Sequence, residues 1–211
     1  MGYKLLTQDM KTRKGCDNET DWSDVGEWHE ATGKRSQGLC SDEYLHDYDD
    51  LLLAVLMNPA HAAIENPVCY ETERDGDTET DGLKRGTRRL RLKRRIDLPA
   101  VTLEQCVRFG ILCAKQVWKD KAWNEWADKW LGGENRSADA AAAYAAWADA
   151  AAWAAAAAHA AYAAADAAWA AAAAAHAACA AAAAAHAAYA AADVAHEFQF
   201  DFAAIAKDAV K

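Results

Sequence analysis

The apolar positions of this chain follow two different rhythms, and the change comes near residue 98. Between Thr87 and Ile96, Leu90, Leu92 and Ile96 alternate with Arg89, Arg91, Lys93 and Arg95. That period of two predicts a half-buried strand with one basic face. Tyr3–Leu6 and Val68–Tyr70 read as two further strands. Asp47–Met57 holds Leu51, Leu52, Leu53, Val55 and Leu56, which predicts a short buried helix stopped by Asn58-Pro59. Trp22, Trp28 and Leu39 lie among Gly26, Gly33 and Gly38, a pattern of short strands and turns. The polar run Glu71–Gly86 reads as a loop or a long hairpin connection.

Beyond the hinge Asp97–Thr102 the spacing becomes helical. Thr102 with Gln105 three residues on forms a capping box. The helix it opens carries Leu103, Val107, Gly110, Ile111, Ala114, Val117 and Trp118 on one broad apolar face. A second helix, Ala122–Leu131, sets Trp123, Trp126 and Trp130 at 3–4 spacing as core residues and ends at Gly132-Gly133. Ser137 is placed to cap a third helix.

That third helix opens a tract, Ala138–Ala195, in which 43 of 58 residues are alanine and none is glycine or proline. Alanine loses no rotamer freedom in a helix, so the tract must be mostly helical. His159, Tyr162, Asp166, Trp169, His176, Cys179, His186, Tyr189, Asp193 and His196 fall on one 3–4 series, the period of a coiled-coil seam. Two packings fit this seam. In the first its aromatic side chains form the core; in the second the alanine faces turn inward and the seam faces a partner. Tyr144, Trp147, Asp149 and Trp153 are out of phase with it, which predicts a register change or a turn near residues 149–158. Phe198, Phe200, Phe202, Ile205 and Val210 follow as bulky residues to close the end of the helices. The chain is therefore expected to be an α+β protein of two domains. Residues 1–98 form an acidic, strand-containing domain ending in the basic strand, and residues 99–211 form an alanine-rich helical bundle or helical hairpin.

Charge sharpens this picture. The net charge is −9, yet residues 17–81 carry 18 Asp or Glu against three Lys or Arg, and residues 83–95 carry eight basic residues and no acidic one. Either these segments meet in the fold or each faces solvent. Exposed, the carboxylates of Asp42, Glu43, Asp47, Asp49 and Asp50, with Glu71, Glu73, Asp75, Asp77, Glu79 and Asp81, would present an acidic surface to a protein partner. Arg89, Arg91, Lys93 and Arg95, with Trp28 and His29, are the candidates for contact with a ligand or phosphate. Nucleic acid is disfavoured, because a chain at −9 repels a polyanion.

Recurring Asp and His in the alanine tract argue against a membrane span. Met1–Met10 has no apolar core of the signal-peptide kind. The six cysteines are widely spaced and contain no CxxC. A reduced, cytoplasmic protein is expected. P-loop, dinucleotide-binding, HExxH and GxSxG motifs are absent. Cys40 and His46 can be assembled into a thiol and base, as most Cys and His can. His176 and Cys179, with His186, lack the spacing of a zinc site. No catalytic residue, metal or cofactor is assigned, and the chain reads as a binding protein rather than an enzyme.

The order of short words carries a resemblance: GEWHE (Gly26–Glu30), GLC (Gly38–Cys40), the leucines Leu51–Leu53, RRLRLKRRI (Arg88–Ile96), CVRFGILCAKQV (Cys106–Val117) and WADKWLGGENRSADAA (Trp126–Ala141). This layout resembles a group of uncharacterised phage and bacterial proteins that join a small N-terminal domain to an alanine-rich helical region, some of them labelled immunity proteins. Relatives often have Gly-Leu-His-x-Cys where this chain has Gly38-Leu39-Cys40. The resemblance implies a small phage-encoded accessory protein acting on host machinery or a defence system in the host cytoplasm, and the acidic segments add the expectation that it inhibits a protein partner by occlusion. Two alternatives stand beside it. One is a nucleotide or small-ligand binder or enzyme, its pocket gathering Trp22, Trp28 or His29 against the basic strand. The other is a homo-oligomer built through the alanine-rich helices.

Overall fold

The computed structural model describes residues 1–13, 15, 19–34, 38–142, 145, 158–173, 177–194 and 200–211. Two compact units divide the chain, Met1–Ala100 and Val101–Lys211. Strands occupy the first and a run of helices the second, a mixed α and β protein.

The strands of the first unit are β1 (Gly2–Leu6), β2 (Lys11–Thr12), β3 (Thr20–Asp21), β4 (His29–Glu30), β5 (Leu45–Asp47), β6 (Val68–Thr80) and β7 (Arg85–Ile96). The main sheet is antiparallel, in the order β1-β6-β7-β4, and β5 also pairs with β7. A separate ribbon joins β2 to β3. Leu6, Trp22, Ala31, Leu45, Val68, Leu90 and Leu92 form the core cluster, and the Trp22 indole N–H donates to Thr12 Oγ1 at 2.9 Å. Leu90 and Leu92 thus take the inward positions that their alternation predicts.

Two local expectations need correction. Glu71–Gly86 is not a loop, since β6 runs on through Thr80 and only residues 81–84 turn the chain. Cross-strand charge explains it: Glu73 faces Arg91 and Asp75 faces Arg89 in register, so residues of loop-like composition pair across a hairpin. The turn is held by Asp81 Oδ1, which accepts the backbone N–H groups of Leu83 and Lys84. The other correction concerns α1 (Leu51–His61), which passes through Asn58-Pro59 instead of stopping there. Asn58 closes it one turn later. Its carbonyl accepts from Ala62 N and Ala63 N, and its side chain exchanges two hydrogen bonds with the backbone of Ile64.

The second unit holds α2 (Leu103–Val117), α3 (Lys121–Leu131), α4 (Ala158–Ala172), α5 (Ala177–Val194) and α6 (Phe202–Ala209). The Thr102–Gln105 capping box opens α2, and Trp123, Trp126 and Trp130 of α3 are buried. Ser137 Oγ accepts from Ala140 N, and residues 138–142 are helical. Helix α2 is the hub: α4, α5 and α6 all pack on it, and α4 packs on α5. No helix among the described residues is long and apolar enough to cross a membrane.

The described part of the seam overturns its reading as an aromatic core. Ala164, Ala167, Ala168, Ala184, Ala187 and Ala188 are buried, while Trp169 is 45% exposed and His186 is exposed. Large core side chains come instead from α2 and α3, in Phe109, Ile111, Trp123 and Trp126. Alanine faces let backbones approach closely, and the wide seam residues have no room between them. The expected turn near residues 149–158 lies almost wholly outside the described residues, as do Tyr144, Trp147, Trp153, His176, His196 and Phe198.

Candidate functional site

The first unit contains a cavity of about 470 Å³. Strand β1, the β2–β3 ribbon, β5, the residues leaving α1 and the β6–β7 turn all contribute to its wall. Three cations line it: Lys4 from β1, Arg13 from just after β2, and Lys84 from the hairpin turn. Thr7, Thr12 and Thr20 add hydroxyl groups, and Glu65 is the carboxylate among the lining residues.

These cations gather around His46. Lys4 Nζ donates to the His46 carbonyl at 2.7 Å and lies over the Trp22 ring, 4.5 Å from its centroid. Arg13 Nη2 donates to the carbonyls of Ser41 and Tyr44, at 3.1 and 3.4 Å. Lys84 Nζ stands 3.2 Å from Cys40 Sγ. The His46 ring meets the Leu39 carbonyl through Nε2. Burial drives the His46 pKa down to about 4; the Leu39 bond resists, and the charges of Lys4, Lys84 and Arg13 push the same way as burial. A neutral imidazole must then be the donor to Leu39. Burial likewise lowers Lys4 to about 8, with Asp47 opposing and Arg13 assisting. Lys4 therefore keeps most of its positive charge at pH 7 in a setting that disfavours it, the electrostatic condition that an incoming anion relieves.

The opposite part of the wall is less polar. Tyr48 and His61 stack with ring centroids 5.9 Å apart and an interplanar angle of 21°, and Tyr48 Oη meets His61 Nδ1 at 3.0 Å. Ala62, Ala63 and Ile64 continue this side. Ala63 and Arg13 both hold left-handed backbone, with φ of 48° and 54°. Such conformations cost free energy in residues other than glycine, and the surrounding contacts must impose them.

The residues proposed from sequence lie elsewhere. Asp47 is fully buried, accepting Thr72 Oγ1 and, at 2.8 and 2.9 Å, both bonds from Arg74 Nε. Glu43 is buried as well. Asp49 bridges Arg74 and Arg85 at 2.6 and 2.7 Å, and Asp50 caps α1. Glu71 pairs with Arg94, Glu73 with Arg91 and Lys93, and Asp75 with Arg89. Asp81 holds the turn, and Asp42 accepts Gly33 N through its carbonyl. Asp77 and Glu79 remain exposed on β6. With Asp47 and Glu43 buried, and Asp49, Glu71, Glu73 and Asp75 paired with cations of β7, these positions do not make one continuous acidic face.

That pairing also occupies the candidate phosphate contacts. Trp28 lies beneath two guanidiniums, with Arg89 at 5.0 Å and Arg91 at 4.7 Å from its ring centroid. His29 tilts against Trp22, with centroids 4.3 Å apart, and burial lowers its pKa. Arg95 is exposed opposite Tyr70. None of Trp28, His29, Arg89, Arg91, Lys93 or Arg95 lines the cavity, and Trp22 is sealed in the core. Lys4, Arg13 and Lys84 escaped sequence reasoning because no motif joins them; 80 residues separate the first from the last. Lys84 lies at the start of the basic run 83–95, and Lys4 is a charge inside an apolar strand, but neither signal points to the other.

Among the described residues no group of three His, Cys, Asp or Glu side chains is arranged to hold a metal ion. Comparison with protein-family models, with curated proteins and with solved structures finds no match for the chain.

Proposed function

We propose that the N-terminal unit binds a small anionic ligand, with a phosphate group held among Lys4, Arg13 and Lys84. The observation that carries this reading is the convergence of three cations on one cavity of about 470 Å³ in a chain of net charge −9. Long-range electrostatics repel an anion from such a chain, so affinity must come from local contacts. Arg13 Nη2 is held by the Ser41 and Tyr44 carbonyls, which leaves the other N–H groups of its guanidinium for a phosphate oxygen, and the ammonium groups of Lys4 and Lys84 act as point charges. The volume fits a drug-sized metabolite rather than a macromolecular surface.

A protein partner engaged by acidic occlusion has less support, because Asp49, Glu71, Glu73 and Asp75 are held in ion pairs within the unit and Glu43 and Asp47 are buried. An oligomer through the alanine-rich helices draws support from the exposed Trp169 alone.

Calorimetric titration of the full chain with pyrophosphate tests the anion site. Saturable binding with a Kd below about 1 mM is expected. Lys84→Glu should abolish it while leaving the far-ultraviolet circular dichroism unchanged. Absence of saturable binding, or equal binding by Lys84→Glu, would overturn the proposal.

A further inference from the structure

The anion site has a second half that phosphate alone does not use. We infer that the ligand is a nucleoside monophosphate, its phosphate among Lys4, Arg13 and Lys84 and its base against the wall made by Tyr48, His61 and Ile64. The inference rests on the anion reading and adds a chemical identity to it.

Three features select this class. A cavity of about 470 Å³ is several times larger than an orthophosphate ion needs, so the ligand carries a body as well as a charge. The cations belong to one neighbourhood, since all three line the cavity together with His46. Tyr48 and His61 form a separate group, stacked and joined by the Oη–Nδ1 contact, so the phenol and imidazole are held as a rigid wall. Tyr48 Oη and His61 Nδ1 are directed at each other, and beside them Ile64 and the methyls of Ala62 and Ala63 add apolar surface to the lining. A planar heteroaromatic ring matches that lining in polarity. The cavity wall also holds Thr12, whose Oγ1 accepts from Trp22 and keeps its O–H to donate, and the exposed Glu65 carboxylate. Threonine hydroxyls donate or accept and a carboxylate accepts, as a ribose diol requires. The lining offers a second phosphate no cation beyond these three, and Glu65 is a carboxylate, which favours the monophosphate.

Titration calorimetry on the full chain separates the two halves, using adenosine and uridine monophosphates, ribose 5-phosphate, adenosine and inorganic phosphate. At least one mononucleotide should bind about tenfold or more tighter than ribose 5-phosphate, the gain that base contact with an aromatic wall supplies. Ile64→Ser, an uncharged change at a half-buried position, should cost the mononucleotide severalfold more affinity than it costs ribose 5-phosphate. Equal affinity for mononucleotides and ribose 5-phosphate would overturn the inference and leave the anion site standing. Failure of every phosphate to bind would overturn both.

Discussion

A Cβ built on Gly110 of α2 would lie 2.9 Å from the Cα of Ala184 on α5, closer than side chains and backbones tolerate. Glycine here is a packing requirement, since φ at this position is not in the left-handed region. Gly110→Ala gains roughly 1 kcal/mol of helix propensity. It meets an overpacking cost of about 1–3 kcal/mol, because the obstacle is backbone and cannot swing aside. The variant should therefore be less stable, and Gly110→Val more severely so. A thermal melt of Gly110→Ala above the wild-type midpoint would sink this account of the helix contact.

Asp47 is the buried end of a charge network joining β5, β6 and β7. Its carboxylate accepts Thr72 Oγ1 and Arg74 Nε, while Arg74 continues to Asp49 and Asp49 to Arg85. Asp47→Ala leaves the largely buried Arg74 without its innermost partner and should cost about 3–5 kcal/mol. Adding Arg74→Met should recover part of the loss. Urea denaturation of the two single variants and the double variant measures the coupling, and strictly additive effects would refute it.

Ala63 terminates α1 with φ of 48°, a position that glycine occupies without steric cost. Ala63→Gly should raise stability by about 1 kcal/mol, less the extra entropy of the unfolded chain. The thermal midpoint reports it directly. An unchanged or lower midpoint would mean that the Asn58 hydrogen bonds already absorb the strain.

His46 and Lys4 give opposite ends of the pH axis distinct signatures. The His46 pKa falls from 6.5 to about 4 on folding, so between those values the unfolded chain binds more protons. Its contribution is complete above about pH 6.5 and lost as pH falls toward 4, amounting to roughly 3 kcal/mol. His46→Gln should flatten that part of the stability profile, and a profile unchanged by the substitution would argue against a neutral buried imidazole.

Lys4 is lowered from 10.5 to about 8, so its own contribution to stability grows as pH rises between those values. Ligand affinity must move the other way, because the anion binds the charged form. Pyrophosphate affinity should weaken as pH rises through about 8, and a bound anion should shift the midpoint upward. Affinity that stays level from pH 7 to 10 would exclude Lys4 from the contact.

Much of the architecture was legible because its causes are local. The Thr102–Gln105 capping box, the three tryptophans of α3 and the alternation of Leu90 and Leu92 each act over a turn of helix or a pair of strand residues. Asn58-Pro59 misled because a proline in the last turn removes one donor, and the helix outlasts that loss once Asn58 supplies the closing bonds. The polar run Glu71–Gly86 misled for a longer-range reason. Composition reports charge but not register, and register decided that Glu73 and Asp75 would face Arg91 and Arg89.

Sequence alone determined that strands precede a run of helices, that a basic strand follows an acidic segment, and that the described stretches of the alanine tract are helical, since propensity, capping and periodicity are properties of neighbouring residues. Tertiary structure alone decided which face of the alanine helices turns inward. Alanine is small enough for either side, and only the close approach of Ala184 to Gly110 distinguishes them. The candidate site belongs to the same class. Lys4, Arg13 and Lys84 acquire a common field only when antiparallel pairing folds distant segments onto one cavity, a distance in space that no spacing in the chain encodes.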